Sequence, residues 1–268
     1  MVIHYNSNTK EPYLRLPEPH ANIILTPHRP NSLNETSSAL VEILNDPRVA
    51  LRLQRTPYPY LSSDGEQWAK ANCKDQEGIL SALREELEEP GNTAVQKDTG
   101  NVPHHGRPFV DISPFTCIRE VLKIDPGTGT PVEDILIGDI RLARSSFDEY
   151  PEGSEERSLA QKGNDELLAG DENIVWSLAD FLAPSHHGRG IMTLAVRTII
   201  HDWAIPRMNV RRLKSWAFED NEGSLRVFEK NNFIRGHTLK DWALVTESRG
   251  GGKKSIVLME WTGEDDDE

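Results

Sequence analysis

APSHHGRGIMT, residues 183–193, places two histidines, an arginine and two glycines just before the amphipathic run TLAVRTIIHDWA. A strand ending at Ala183-Pro184, a short loop and a helix starting near Gly190 would aim several backbone N–H groups at one point. The first turn of a helix leaves about four amides without partners, and its dipole favours an anion there. Gly188 and Gly190 remove Cβ atoms that would keep a phosphate from the backbone, while Arg189 adds a cation and Thr193 a hydroxyl. Taken alone, the glycine pair also fits a plain chain turn. The tetrapeptide HHGR recurs at residues 104–107, but there it leads through Pro108 into a strand pattern, so no helix terminus faces an anion. Four histidines on a zinc ion would need both loops to meet, and no cysteine spacing supports that, so no metal is expected.

A second chemical candidate precedes the loop. In SLADFL, alternation puts Asp180 on the side of Leu178 and Leu182, and an acid among apolar neighbours requires a reason. It could be a general base, an anchor for an ammonium group, or a structural acid paired with an arginine. Glu219 and His186 are further candidates for the base.

The elements that must hold these groups follow from periodicity. The proline-rich first twenty residues read as a surface arm, NIILTPHRP as a strand, and SLNETSSALVEILNDPRVALRL as helix, loop and short helix. SDGEQWAKANCKDQEGILSALREELEEP reads as one helix or two. Residues 90–108 have no periodicity, and 148–171 form a second polar insertion. FTCIREVLKIDPGTGTPVEDILIGDIRLAR is a hairpin, NIVWSLADFLAP a strand, RRLKSWAFE a strand, NEGSLRVFEKN a helix, and two strands flank ESRGGGKK, which reads as a flexible tip. A parallel crossover beside hairpins predicts an α/β (α+β) fold, a mixed central sheet of about six to seven strands flanked by helices. One domain spanning 21–263, with an arm before it and an acidic tail over 264–268, is expected.

With 268 residues, 37% of them hydrophobic and six tryptophans, the chain can bury a substantial core. A net charge of −13 repels nucleic acid. There is no apolar run of membrane-spanning length and no secretory pattern at the start, and only two cysteines, Cys73 and Cys117, without CxxC spacing. A cytoplasmic protein with reduced thiols is expected, bound to neither nucleic acid nor membrane. Neither RGGGKKS nor any other segment supplies a nucleotide-binding lysine loop or a serine-hydrolase elbow.

PSHHGRGIMT and, after the next strand, DNEGSLRVFEKNNF together resemble the paired signatures of the GNAT acetyltransferase superfamily, in its RimJ/RimL-type branch of ribosomal-protein N-terminal acetyltransferases. LTPHRPNSLNETSSALVEILNDPRVA and ILIGDIRLA resemble other segments of that branch, so the likeness spans roughly residues 22–262 outside the insertions. It implies the GNAT fold and acetyl-CoA as cosubstrate. The pantetheine would run beside Phe181, Leu182 and Ala183, and the pyrophosphate would sit on His187, Gly188, Arg189, Gly190, Ile191 and Met192, with Thr193 near the helix entrance. Asn221 and Ser224 match positions near the pantetheine and the sulfur. Phe228 stands where many relatives carry a tyrosine acid, so it can touch cofactor but has no proton to give; Ser224 becomes the motif residue to stabilise or protonate the thiolate. Ser185 replaces the usual Gln or Arg of the loop signature, and Asn232 replaces a glycine.

The expected reaction is acetyl transfer from acetyl-CoA to a primary amine, either a protein N-terminus or a small amine such as a polyamine or amino sugar. An α-amine with pKa about 7.8 is roughly 14% neutral at pH 7 and a lysine about 0.04%, a difference of about 3.5 kcal/mol, so a terminal amine needs less help from a base. Phe228 and Ser185 motivate an alternative, a non-catalytic acyl-CoA-binding module. An interaction protein that binds no CoA is a third possibility.

Overall fold

The computed structural model describes residues 2–88 and 108–263. In chain order the elements are β1 (His4–Tyr5), β2 (Pro12–Arg15), β3 (Ile23–Thr26), α1 (Leu33–Asn45), α2 (Pro47–Ala50), α3 (Ser62–Glu88), β4 (Cys117–Ile124) and β5 (Pro131–Arg144). There follow α4 (Glu155–Asp165), β6 (Val175–Leu182), α5 (Ile191–Ile199), α6 (Ile205–Met208), β7 (Arg212–Phe218), α7 (Glu222–Glu229), β8 (Ile234–Leu244) and β9 (Lys253–Thr262). The repeated 104–107 tetrapeptide, most of the first insertion and the acidic tail lie outside the described residues.

Nine strands form one mixed sheet in the order β1-β2-β3-β4-β5-β6-β7-β9-β8, more than the six to seven read from the sequence. The two extra strands come from the first twenty residues, which therefore do not lie on the surface as an arm. Tyr13, Leu14 and Leu16 are buried, and Pro12 occupies the first position of β2, where a missing N–H is tolerated. Proline content hid a short strand whose side chains contribute to the core. All neighbouring pairs are antiparallel except β6 and β7, which are parallel and joined by a crossover through α5.

The core fills the space between sheet and helices. Ile191, Ala195, Val196 and Ile199 of α5, one apolar stripe, pack with Trp176, Leu178 and Trp203, all buried. On the other face α3 is one unbroken helix, tied to the sheet where Gln76 Nε2 donates to Thr116 Oγ1 at 2.9 Å and Arg141 pairs with Asn72 and stacks over Trp68. After Ile199 the backbone widens into a π turn over 200–204 before α6, because Pro206 lacks the N–H that would continue the α ladder. The second insertion is partly ordered as α4, capped by Ser154, whose hydroxyl accepts from the Arg157 amide.

The glycine-rich 247–253 segment, read from its sequence as a flexible tip, is a clamp. Gly250, Gly251 and Gly252 all have positive φ, folding the chain so that Arg249 turns inward and is buried. Its guanidinium donates to the carbonyls of Ala50, Gln54 and Thr56 and lies over Tyr58, holding residues 50–58 against the β8–β9 end of the sheet. Arg249→Met would leave those carbonyls without donors. The expected loss is about 1–3 kcal/mol in urea unfolding, with faster amide exchange confined to residues 50–61; an unchanged midpoint would refute the clamp.

Candidate functional site

β5 follows β6 along its whole length, from Arg144↔Trp176 to Gly138↔Leu182. Gly138 permits that approach, since a Cβ there would stand 2.4 Å from the Phe181 carbonyl. β7 keeps company with β6 only from Val175↔Arg212 to Ser177↔Lys214, and then the strands part. At the parting, Ser215 Oγ accepts from the Leu178 amide at 3.2 Å and donates to the Leu178 carbonyl at 2.9 Å, replacing the lost ladder bonds with one buried hydroxyl. Backbone groups alternate along a strand: Leu178 faces β7, whereas Ala183 N–H bonds back to Ile137 at 2.7 Å. The Asp180 amide therefore faces the open gap.

A cleft of about 510 Å³ begins at this gap. Asp180, Phe181 and Leu182 form its floor; His186, His187, Gly188 and Gly190 to Thr193 form one wall, and Asn221, Gly223, Ser224, Arg226, Val227 and Lys230 the other. The sequence reading brought together Phe181, Leu182, His187, Gly188, Gly190, Ile191, Met192, Thr193, Asn221, Ser224 and Asp180, and all of them line this one space. Ala183 is buried beneath the floor, and Arg189 is exposed outside the lining. Phe228 is also not in the cleft: it is buried, with its ring centroid 5.1 Å from that of Phe233.

Gly188 (φ 72°) and Gly190 (φ 82°) adopt the left-handed conformation, and no atom lies within 4 Å of the position a Cβ would take. Their role is to turn the backbone in open space. Gly190 caps α5 without a side-chain acceptor, so the amides of Ile191 to Thr193 point outward unpaired by the helix; the Leu194 amide already reaches the Gly190 carbonyl at 3.2 Å. The loop's histidines shape it. His186 is buried, with Nε2 3.2 Å from Glu120 Oε2 and Nδ1 2.9 Å from the Ser185 hydroxyl. His187 Nε2 donates to the Leu182 carbonyl at 2.8 Å, and His20 Nε2 to the Arg189 carbonyl at 2.7 Å. Among the described residues, no group of three or more His, Cys, Asp or Glu could hold a metal ion.

Asn221 caps α7 by accepting from the Ser224 amide, and its Nδ2 donates to Ser224 Oγ at 2.9 Å. The Ser224 oxygen thus accepts, which leaves its own hydrogen free for the cleft. Asn231, buried at the end of α7, donates to the carbonyls of Thr193 and Val227 and locks the two walls together. Asn232 takes the left-handed φ of 63° that its place in the motif calls for.

Four cations at the cleft were not singled out in the sequence. Arg226 and Lys230 stand one turn apart on α7 without an ion pair among the described residues; Arg48 and Arg52 lie on α2 and its exit, paired with Asp46 and Asp220. The i,i+4 spacing of the α7 pair was the available signal. Arg48 and Arg52 reach the site only through tertiary placement. Against a net charge of −13 this is a local positive field, suited to phosphates.

Residues 129–234 match the family described as acetyltransferase (GNAT) domain. Over that segment, about two-fifths of the chain, the likeness is to a GNAT acetyltransferase domain, a family whose members use acetyl-CoA as cosubstrate. Over 53 residues it is 42% identical to the probable N-acetyltransferase YjcK of Bacillus subtilis (strain 168), a match covering 20% of this chain and 29% of that protein's length. Among solved structures, ribosomal-protein-S5-alanine acetyltransferase from Vibrio fischeri superimposes with a TM-score of 0.52 at 12% identity, covering 94% of this chain and 97% of that one. Mycobacterium smegmatis RimJ in complex with CoA-disulfide does so with a TM-score of 0.52 at 15% identity, over 96% and 89%. At these identities the structures share the GNAT fold.

The cleft has one electrostatic peculiarity. Asp180 is half-buried, and desolvation by the protein around it, followed by the nearby Asp139 carboxylate, pushes it up to about 7. An acid whose folded value is raised binds more protons folded than unfolded between its ordinary value and about 7. Its stabilising contribution is present at low pH and is lost as pH rises through that window. Asp180→Asn should therefore raise the unfolding midpoint relative to wild type, with a gap that widens from pH 4 to pH 8. A gap independent of pH would contradict the raised value.

Proposed function

We propose that the chain moves an acetyl group from acetyl-CoA to a primary amine, by direct attack of the amine on the thioester. The reading is carried by Asp180, which stands on the cleft floor between the free amides of the glycine loop and the gap in the sheet. The pyrophosphate fits the Ile191–Thr193 amides, with Arg226 and Lys230 beside them, and the pantetheine fits the open edge of β6. An ammonium acceptor gives its proton to Asp180, which near neutral pH is about half ionised and so matched to that task. The neutral amine then adds to the carbonyl carbon. The oxyanion is held by the Asp180 N–H that faces the gap. When the C–S bond breaks, the electron pair goes to sulfur, the free hydrogen of Ser224 stabilises the thiolate, and the proton left on the attacking nitrogen passes to the sulfur, directly or relayed through the Ser224 hydroxyl, which leaves a neutral amide and CoA thiol.

The acceptor is a protein N-terminus or a small amine, and a terminal amine of low pKa suits a single carboxylate base best. Two unpaired cysteines fit a cytosolic setting for this reaction.

Calorimetric titration with acetyl-CoA is the first test. Wild type should bind, and Gly188→Glu/Gly190→Glu should not, with circular dichroism confirming that the variant is folded. No binding by wild type would refute the proposal. With an amine found by thiol-release screening, Ser224→Ala should lose about 100-fold in kcat with little change in acetyl-CoA affinity. Normal binding with no thiol release for any amine would favour the acyl-CoA-binding module instead.

A further inference from the structure

The gap divides the sheet into β1–β6 on one side and β7, β9 and β8 on the other, and a short stretch of chain passes from the first part to the second across the cleft. Residues 46–56 leave α1, which packs on α3 and β5, and end fastened to the opposite part. There Arg249 holds the carbonyls of Ala50, Gln54 and Thr56, and Gln54 Nε2 donates to the Leu244 carbonyl of β8 at 3.5 Å. Arg48, Val49, Arg52 and Leu53 of this strap line the same space as Asp180 and Ser224, so the strap bounds the cleft on a third side. It meets the α7 wall at Asp220, the residue before the Asn221 cap. Arg52 Nη1 donates to the Asp220 carbonyl at 3.1 Å and lies 2.7 Å from its Oδ1. Lys254 Nζ of β9 lies 3.6 Å from Asp220 Oδ2 and donates to the Leu51 carbonyl at 3.5 Å. The two ends of α7 are thus held differently. At the far end Asn231 is buried and bonds to Thr193 and Val227. At the near end the Arg52 and Asp220 side chains are 38% and 59% exposed, and an exposed ion pair is worth little, so it breaks and re-forms readily. The strap itself is pinned by the buried Arg249, so a break frees the first turn of α7 rather than the strap.

We propose that the Arg52–Asp220 pair is a latch across the cleft, with Asp220 a positioning residue that keeps Asn221 and Ser224 against the strap and so retains bound acetyl-CoA. The inference rests on the reading of the cleft as the acetyl-CoA site. With the latch closed, a ligand in the cleft is enclosed by the strap, the glycine loop and α7; with it open, the α7 side of the mouth widens. Charge alone predicts the reverse for Asp220. An acid beside an anionic cosubstrate repels it, so its removal by charge alone would tighten binding and slow release. Direct contact between Arg52 and a phosphate gives the same sign, because an Arg52 freed from Asp220 would hold the phosphate better. A latch gives the opposite sign: without Asp220, release quickens.

Release is read by stopped flow on the whole protein, with a fluorescently labelled CoA chased by excess acetyl-CoA. Asp220→Asn and Arg52→Gln should each release the label about threefold to fivefold faster than wild type. The double variant should be no faster than Arg52→Gln alone, because both changes remove one contact. Hydrogen exchange on the ligand-free protein gives a second reading. The Ser224 and Leu225 amides, which bond to Asn221, should exchange faster in Asp220→Asn, while those of Lys230 and Asn231 at the far end of α7 stay unchanged. Unchanged or slower release from Asp220→Asn overturns the latch, and so does a double variant whose effects add. Unchanged exchange at Ser224 and Leu225 overturns it on the free protein, whether or not CoA binds. Wild type that binds no labelled CoA refutes the reading of the cleft instead, a separate failure that calorimetry records before any variant is made.

Discussion

The parting of β6 and β7 after Ser177 and Lys214 is the constraint on which the site depends. Two parallel strands that separate within a sheet expose backbone N–H and C=O groups, each of which would cost free energy if buried unpaired. One hydroxyl, Ser215, satisfies both groups of Leu178 where the ladder ends. Beyond it the edge of β6 remains available, and a ligand with its own amide groups can complete it. The strand order makes this possible, because β9 pairs with β7 and β5 with β6, so each side of the gap is braced on its outer edge.

Around the gap, every wall is held by contacts remote from the chemistry. His186 fastens the glycine loop to Glu120 on β4, and His20 fastens it to the segment before β3. Asn231 joins the end of α7 to α5, while Arg249 fixes residues 50–56 and thereby Arg52. Apart from the exposed His20 contact, these are buried or half-buried polar contacts between elements far apart in sequence. Such contacts favour one arrangement over alternatives more than they add stability. The loop amides, the Ser224 hydroxyl and the Asp180 carboxylate therefore face a common space before any ligand arrives.

On the proposed reading, Asp180 carries a tension between stability and reactivity. Its raised value means that folding places a carboxyl where its charge is unwelcome, which lowers stability at neutral pH. The same shift brings the group into the range where proton transfer to it is useful. A net charge of −13 does not decide the matter. Local structure gathers cations at the cleft.

Local sequence determined the elements and the parts of the site that lie within one motif. Alternation marked β6, a 3.6-residue period marked α5, and Gly188 and Gly190 marked a left-handed turn; Asn221 and Ser224 belonged to a recognisable helix start. These features depend on neighbours a few residues away, so the order of residues is enough to specify them. Proline-rich composition concealed β1 and β2, whose existence depends on pairing with β3 rather than on propensity. Only the tertiary structure decided that Phe228 turns away from the cleft, that Arg48 and Arg52 reach it, that Arg249 is a clamp, and that Arg52 meets Asp220. In each case the partners are separated by many residues in the chain, and nothing in either segment alone records the meeting. Long-range packing brings such charges and amides together, and with them the chemistry of the site.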